Sequence, residues 1–260
     1  PLKSGNPPPS PRKENFRLHS RALQPSAPVV PEPSRTPEQP LRIIRSTLSG
    51  ISFEGVAFDS RNYRLTVVDQ VSGPGSRYPD AKAAAISQNG LAAINAGFFT
   101  PEGCPLGKLV ASGTPAGAWN RSSLGSGLYQ EDSSGIMTLT RRSSDSTAGR
   151  KELLQAGPLL VENGVTVSSL DSSKPAVRML MAWDGGSRWW IGRSSSCTLA
   201  QLGSALGNSS PTSWPVRVAL NLDGGRSSDL WISGSVPGGP TSFRPLWNRP
   251  VRNFLVLTPR

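Results

Sequence analysis

Apolar and polar positions divide the chain near residue 45. Residues 1–40 show almost no apolar periodicity, whereas short apolar runs bounded by Gly, Asn, Asp and Ser recur from about Leu41 onward. Runs of four to eight residues between turn residues fit extended segments better than helices. Strands are expected at 51–58, 63–68, 91–94, 108–111, 136–140, 158–161, 165–167, 177–183, 189–192, 216–222, 230–233 and 254–257. The first two are expected to pair across Asp59-Ser60-Arg61-Asn62. Asn163-Gly164 and Asp184-Gly185-Gly186-Ser187 are expected to close hairpins, because these residues accept positive φ at small cost. Residues 80–89 (DAKAAAISQN) predict a helix capped by Asp80 and ended by Gly90, and 198–206 predict a second, ended by Gly207. No repeat at a fixed period is visible. The pattern is that of a single α+β domain over residues 46–260, its mixed or antiparallel β-sheets linked largely by hairpins with a few short helices.

Composition changes the reading of the first 45 residues. Eleven of the 25 prolines fall within residues 1–40, which predicts an extended, disordered tail or linker. The chain begins at Pro1 rather than Met, so a processed or trimmed polypeptide is expected, in which a lost export signal would leave no trace. No run approaches the roughly 20 apolar residues that span a bilayer, and no transmembrane segment is expected.

Charge narrows the partners. The net charge is +11, with Arg outnumbering Lys, a balance that attracts phosphate esters, acidic glycans, anionic lipid or nucleic acid, or merely reflects composition. Nucleic acid is disfavoured, because the basic residues are not interleaved with aromatics and the seven Trp are scattered. The single His is His19, inside the Pro-rich stretch, and the two Cys are Cys104 and Cys197. A body without His holds no Ser-His-Asp triad or His-ligated metal, and two Cys cannot complete a four-thiolate zinc site. The two thiols are either one long-range disulfide or two free groups. Catalysis therefore falls to carboxylates, amides, hydroxyls, Arg and backbone groups, with no cofactor expected.

Four segments place polar, glycine-flanked residues at the end of an apolar strand, where a rigid element meets a backbone that a ligand can approach. In LAAINAGFF a buried strand ends at Asn95, a turn cap or a binding amide. In LLQAGPLLVENG, Gln155 interrupts an apolar run before Gly157-Pro158, again as a turn amide or a ligand. In AVRMLMAW, Arg178 sits inside a strand on the face of Leu180 and Ala182, where it needs a partner or a cavity. In VRVALNLDGGRSS, alternation delivers Asn221 and Asp223 to one face before two glycines.

Asn-Ala-Gly-Phe-Phe, Gln-x-Gly-Pro-x-Leu-Val-x-Asn-Gly, a strand Arg and Asn-Leu-Asp-Gly-Gly-x-Ser-Ser occur here in that order. Together they resemble the phosphodiester glycosidase family over roughly residues 50–258. The resemblance implies a mixed α+β fold, an exported, periplasmic or extracellular location, and hydrolysis of the bond between a sugar's anomeric carbon, such as that of N-acetylglucosamine, and a phosphodiester oxygen. It also implies a place in cell-envelope or exopolysaccharide processing. Two positions depart from the family pattern. Arg226 stands where a third glycine is usual, and Met179 where a small hydroxyl residue usually follows the strand Arg.

Cleaving a glycosyl phosphate develops positive charge on the sugar ring and negative charge on the departing phosphate, so the site needs a carboxylate near the anomeric carbon and donors near the phosphate. Asp223 is the expected carboxylate and Arg178 the expected phosphate ligand, with Asn95, Gln155 and Asn221 positioning sugar hydroxyls or the phosphate. Backbone N–H groups of Gly224 and Gly225 offer an anion-binding concavity. Arg226, Ser227 and Ser228 are further donors, and Asp184 and Glu102 are candidates for a second carboxylate. A divalent cation on Asp223, Asp184 and amide oxygens has no ligand spacing in its favour. The competing reading is a cell-envelope glycan- or phosphate-binding module that keeps the fold without turnover, motivated by Arg226 and Met179.

Overall fold

The computed structural model describes Gly5 and residues 38–260. Most of the Pro-rich segment expected to be a disordered tail lies outside the described residues. Seventeen strands and two α-helices form among them, so the fold is mixed α+β but mostly β.

The first sheet has seven strands: β1 (Arg42–Leu48), β2 (Ile51–Asp59), β13 (Arg188–Ser194), β12 (Met179–Trp183), β14 (Val218–Asn221), β10 (Leu159–Glu162) and β11 (Val165–Thr166), in that order. The second runs β16 (Thr241–Phe243), β15 (Leu230–Ile232), β4 (Ala92–Asn95), β17 (Asn253–Pro259), β3 (Tyr63–Asp69). The third runs β6 (Thr114–Ala116), β5 (Leu109–Ala111), β9 (Arg150–Ala156), β7 (Gly127–Asp132), β8 (Met137–Arg141). Neighbouring strands pair antiparallel in all three.

One apolar core takes side chains from every sheet, including Phe58, Leu65, Ile94, Leu109, Tyr129, Leu154, Met181 and Leu255. Helix α2 (Leu199–Asn208) covers the other face of the seven-stranded sheet through Leu202, Ala205 and Leu206, against Leu180, Trp190 and Ala219. Helix α1 (Ala81–Ser87) packs its alanines on Ala93, Phe254 and Val256. Both helices start as their sequences dictate. The Asp80 side chain accepts from the Ala83 N–H, and Thr198 forms a capping box with Gln201.

Several expectations change in the fold. Residues 59–62 do not close a hairpin: β2 pairs with β1 and β13, while β3 pairs with β17. Asp59 explains the turn. Its buried carboxylate accepts from the Arg61 N–H and guanidinium, the Gln39 N–H and the Ser187 hydroxyl, which bends the chain from one sheet into another and holds the Asp59 pKa down at about 2 despite burial. Among the described residues the first strand is β1, Arg42–Leu48, and Gln39 just ahead of it is buried. Cys104 is exposed and Cys197 buried, and both are free thiols.

Strands β7 and β9 escaped the apolar pattern because polar residues occupy inward positions. Glu131 and Glu152 sit opposite each other across this pair, both buried. Burial pushes the Glu152 carboxyl from 4.5 up to about 7, with Glu131 adding repulsion, while the Val67 and Ser112 N–H groups and Arg64 pull it down. The folded protein thus keeps a proton that the unfolded chain releases near 4.5. The stability this proton contributes is complete below that pH and lost as pH rises through about 7, a change on the order of 3 kcal/mol. Glu152→Gln is expected to remove that share of the pH dependence. Denaturant unfolding at pH 5 and pH 8 checks it, and an unaltered difference between the two pH values would contradict the assignment.

Candidate active site

Strand β14 ends at Asn221, and the Leu222 N–H still donates to Met179 O at 2.8 Å. The chain then leaves the seven-stranded sheet, as the Asp223 N–H donates to Ala96 O at 2.9 Å, just beyond β4. Asn95 fastens this crossing at both ends. Its Nδ2 donates to Asp223 O at 2.7 Å and its Oδ1 accepts from the Asp229 N–H at 2.9 Å. A Cβ on Gly224 would stand 2.6 Å from Val177 O and 3.4 Å from the Arg178 Cα, so only glycine lets the turn rest against the start of β12. Gly225 takes φ +58 and opens a single 3-10 turn over Gly225–Ser227.

This turn leaves Asp223 half-buried. Burial raises its carboxyl from 3.8 to about 6, and the Ser227 side chain and Gly224 N–H, which face it, draw it partly back. Among the described residues no Lys or Arg pairs with Asp223, whereas Asp184 and Asp229 have Arg partners. A carboxyl poised near neutrality without a fixed counter-ion suits proton transfer.

The other expected residues divide into three groups. Gln155 is buried and fully engaged: Oε1 accepts from the Lys108 and Asn120 N–H groups, both at 2.9 Å, and Nε2 donates to Asn120 O and Gly125 O at 2.7 and 2.8 Å. It holds Lys108, just before β5, and the 120–125 turn onto β9. Asn221 is also buried; Nδ2 donates to Gly157 O at 2.9 Å, and its Oδ1 has no partner among the described residues. The buried Ser228 hydroxyl is likewise unpartnered, so two orphaned polar atoms flank the Asp223 turn.

Arg178 and Arg226 border the turn from outside. Arg178 precedes β12 rather than lying within it. Its Nε donates to Cys197 O at 3.1 Å and its guanidinium to Lys174 O, acceptors that carry no formal charge. Arg226 is exposed and donates from Nε to Trp247 O at 3.1 Å. The concavity expected from Gly224 and Gly225 is closed: the Gly225 N–H donates to Val177 O at 2.8 Å, and the Gly224 N–H faces Asp223. Met179 points into the core, fully buried.

Asp184 and Glu102 are not brought to the turn. Asp184 accepts from the Gly186 and Arg188 N–H groups and pairs with the Arg188 Nε at 2.7 Å. It closes the β12–β13 hairpin at the far end of β12, roughly 17 Å of strand from the Leu222 level. Glu102 is exposed on the bend after Phe99, where the Thr100 side chain lowers its pKa. With Asp184 and Asp223 at opposite ends of the sheet, their proposed joint cation site does not assemble, and no cluster of three His, Cys, Asp or Glu occurs among the described residues.

Two buried polar residues near the turn were not singled out in the sequence. Asp229 accepts from the Ala81 N–H at 3.0 Å and lies 3.3 Å from the Arg244 Nε; burial lifts its carboxyl to about 6. Asn253 accepts from the Gly97 N–H at 2.6 Å, leaving Nδ2 unpartnered. Asn253 sits at the edge of an apolar strand as Asn95 does, and the same signal marks both. Two hollows border the region. One, of about 610 Å³, is lined by Ser123, Ser126, Arg141, Arg142 and Pro158 among others, and the second, of about 540 Å³, by Val177, Gly225, Arg226 and Trp247 among others.

A family model described as phosphodiester glycosidase matches residues 88–258, which include Asn95, Gln155, Arg178 and the whole Asp223 turn. The chain belongs to the phosphodiester glycosidase family. Among solved structures, this phosphodiester glycosidase chain is similar to the zebrafish N-acetylglucosamine-1-phosphodiester alpha-N-acetylglucosaminidase catalytic domain, auto-inhibited by its pro-peptide. That match has 17% identity and a TM-score of 0.60 and covers 87% of this chain and 85% of that one. A hypothetical protein from Synechocystis matches with 15% identity and a TM-score of 0.58, over 85% of this chain and 61% of the other. A Burkholderia pseudomallei protein provisionally described as exported matches with 13% identity and a TM-score of 0.54, over 80% and 74%. At these identities the likeness is one of fold. No curated protein sequence matches the chain.

Proposed function

We propose that the protein hydrolyses a glycosyl phosphodiester, releasing a free sugar and a phosphomonoester, as an exported enzyme of cell-envelope or extracellular glycan processing. The observation that carries this reading is Asp223, a half-buried carboxyl whose pKa desolvation raises to about 6 and which has no cationic partner among the described residues, on a turn clamped by the family's own motif residues. In this reading Asp223 takes a proton from water as the water oxygen bonds to the anomeric carbon. The bond from that carbon to the phosphodiester oxygen breaks, and its electron pair leaves with the phosphate. Ser227 holds the carboxylate in place. Arg178 and Arg226 meet the phosphate with guanidinium groups that no carboxylate already occupies. The orphaned Asn221 Oδ1 and Ser228 hydroxyl are buried beside the turn, so they become an acceptor and a donor for sugar hydroxyls only where the turn opens to substrate. Asn95 and Gln155 act as positioning residues, since their amides are spent on backbone groups. Export is favoured by the family resemblance and by the described character of the Burkholderia relative.

The direct test is release of sugar and phosphomonoester from synthetic sugar-1-phosphodiesters, with N-acetylglucosamine as the first sugar. A base must be ionised to act, so kcat/KM is expected to fall about tenfold per pH unit below about pH 6. Activity that instead rises as pH drops below 6 would make Asp223 an acid and overturn the assigned role. Absence of product from every such diester would refute the activity.

A further inference from the structure

Beside the Asp223 turn runs a groove that hydrolysis of the sugar–phosphate bond does not by itself require. Its volume is about 540 Å³, and Ala176, Val177, Phe243, Pro245 and Trp247 line it together with Gly225 and Arg226. The lining is almost wholly apolar, yet the groove is open. Trp247 is 76% exposed, and Leu246 beside it 98%. Large apolar side chains left in water side by side next to a site mark a surface that is covered in use.

The charged lining residue sets the chemistry of what covers it. Arg226 Nε is fixed on Trp247 O at 3.1 Å, and the Arg249 N–H donates to Arg226 O at 2.9 Å, so the guanidinium is held against the groove. It pairs with no carboxylate among the described residues. No heavy atom lies within 4 Å of the Cβ position of Gly225, so open space lies beside this lining residue of the groove, two positions from Asp223. A cation in the lining of an otherwise apolar groove complements an amphiphile with an anionic head. A polar glycan would find one guanidinium there and little else to bond. A sugar stacked on Trp247 would likewise leave its hydroxyls facing Phe243, Pro245 and Val177.

We propose that the groove binds the apolar part of the leaving group, and that the substrate's phosphate therefore carries a long-chain alcohol, alkyl or isoprenoid. The inference rests on the reading of the Asp223 turn as a phosphodiester site and names the class of its aglycone. Arg226, which replaces a small residue of the family pattern, then receives the phosphate, and Trp247 and Phe243 cover the first segment of the chain.

The test separates the groove from the reaction. Titrating the full chain by calorimetry with methyl, butyl and octyl phosphate, which no hydrolysis step consumes, is expected to show affinity rising about two- to fourfold per added CH₂. Trp247→Ala and Phe243→Ala are expected to flatten this series, and Arg226→Ala to weaken octyl phosphate at least tenfold. Trp247 is exposed, so its variant keeps the fold, as a Tm within a few degrees of wild type will show. A flat series in the wild-type protein, or a steep one that survives both aromatic substitutions, overturns the proposal. Sugar-1-phosphodiesters with methyl and octyl aglycones then divide the two claims. Hydrolysis of both at equal kcat/KM refutes the long-chain preference and leaves the activity standing. A steep binding series without hydrolysis refutes the activity and leaves the groove.

Discussion

Asp223→Asn is expected to lower kcat/KM by about a thousandfold without loss of stability. The substitution keeps the shape of the side chain and removes its ability to take a proton. Its effect on folding should run the other way. The Asp223 carboxyl is lifted from 3.8 to about 6 by burial, so the stability linked to its proton is complete below 3.8 and lost as pH rises through 6. At pH 7 the ionised group thus destabilises the fold by an amount on the order of a few kcal/mol, which a neutral amide avoids. Thermal unfolding at pH 7 should therefore give the variant a Tm equal to or above that of the wild type. A folded variant that turns over like wild type would remove Asp223 from the mechanism. A sharply lower Tm would show that Asp223 stabilises the turn instead, and the activity loss could then be ascribed to misfolding. The pairing of lost activity with retained stability is the signature of a strained functional group.

Gln155→Ala carries the largest expected cost to stability among the motif residues, about 3 kcal/mol. One side chain here makes four hydrogen bonds, to Lys108 N, Asn120 N, Asn120 O and Gly125 O. Truncation leaves these backbone groups unpaired unless water reaches them, and each buried unpaired group costs roughly 1–3 kcal/mol before relaxation. Gln155→Glu keeps the acceptor but sets a buried carboxylate oxygen against the Asn120 and Gly125 carbonyls, so it should cost at least as much as the alanine variant. Denaturant midpoints at constant m-value check the order. A Gln155→Ala protein of wild-type stability but weakened substrate binding would make Gln155 a direct ligand rather than the clasp of Lys108 and the 120–125 turn.

How far the sequence anticipated this arrangement depended on the range of the interaction involved. Local signals carried through: Asp80 caps α1, and Asn163-Gly164 turns β10 into β11 with φ of 52 and 80. The 59–62 segment looked equally local, but β2 pairs with β1 and with β13, and in β13 Arg188 faces Asp59 across 128 intervening positions. Strands β7 and β9 were hidden because Glu131, Glu152 and Gln155 place polar groups inside, which breaks the alternation that reveals a strand. The four motif segments were legible as a set, and the fold brings the Asn95 and Asp223 segments into direct contact. What an amide is spent on was not legible. Asn95 and Gln155 read equally as turn amides or ligands until their backbone partners, 30 or more residues away, were known. The groove at Trp247 was equally hidden, since its walls come from residues near 176 and near 245.

The central claim is that water attacks the anomeric carbon, with Asp223 as its base, and that the phosphate leaves with both electrons of the broken bond. Hydrolysis of a sugar-1-phosphodiester in ¹⁸O-labelled water, with both products read by mass spectrometry, tests this most directly. The account predicts that the label appears on the sugar's anomeric hydroxyl and that the phosphomonoester stays unlabelled. Label in the phosphomonoester would mean attack at phosphorus, and would contradict it.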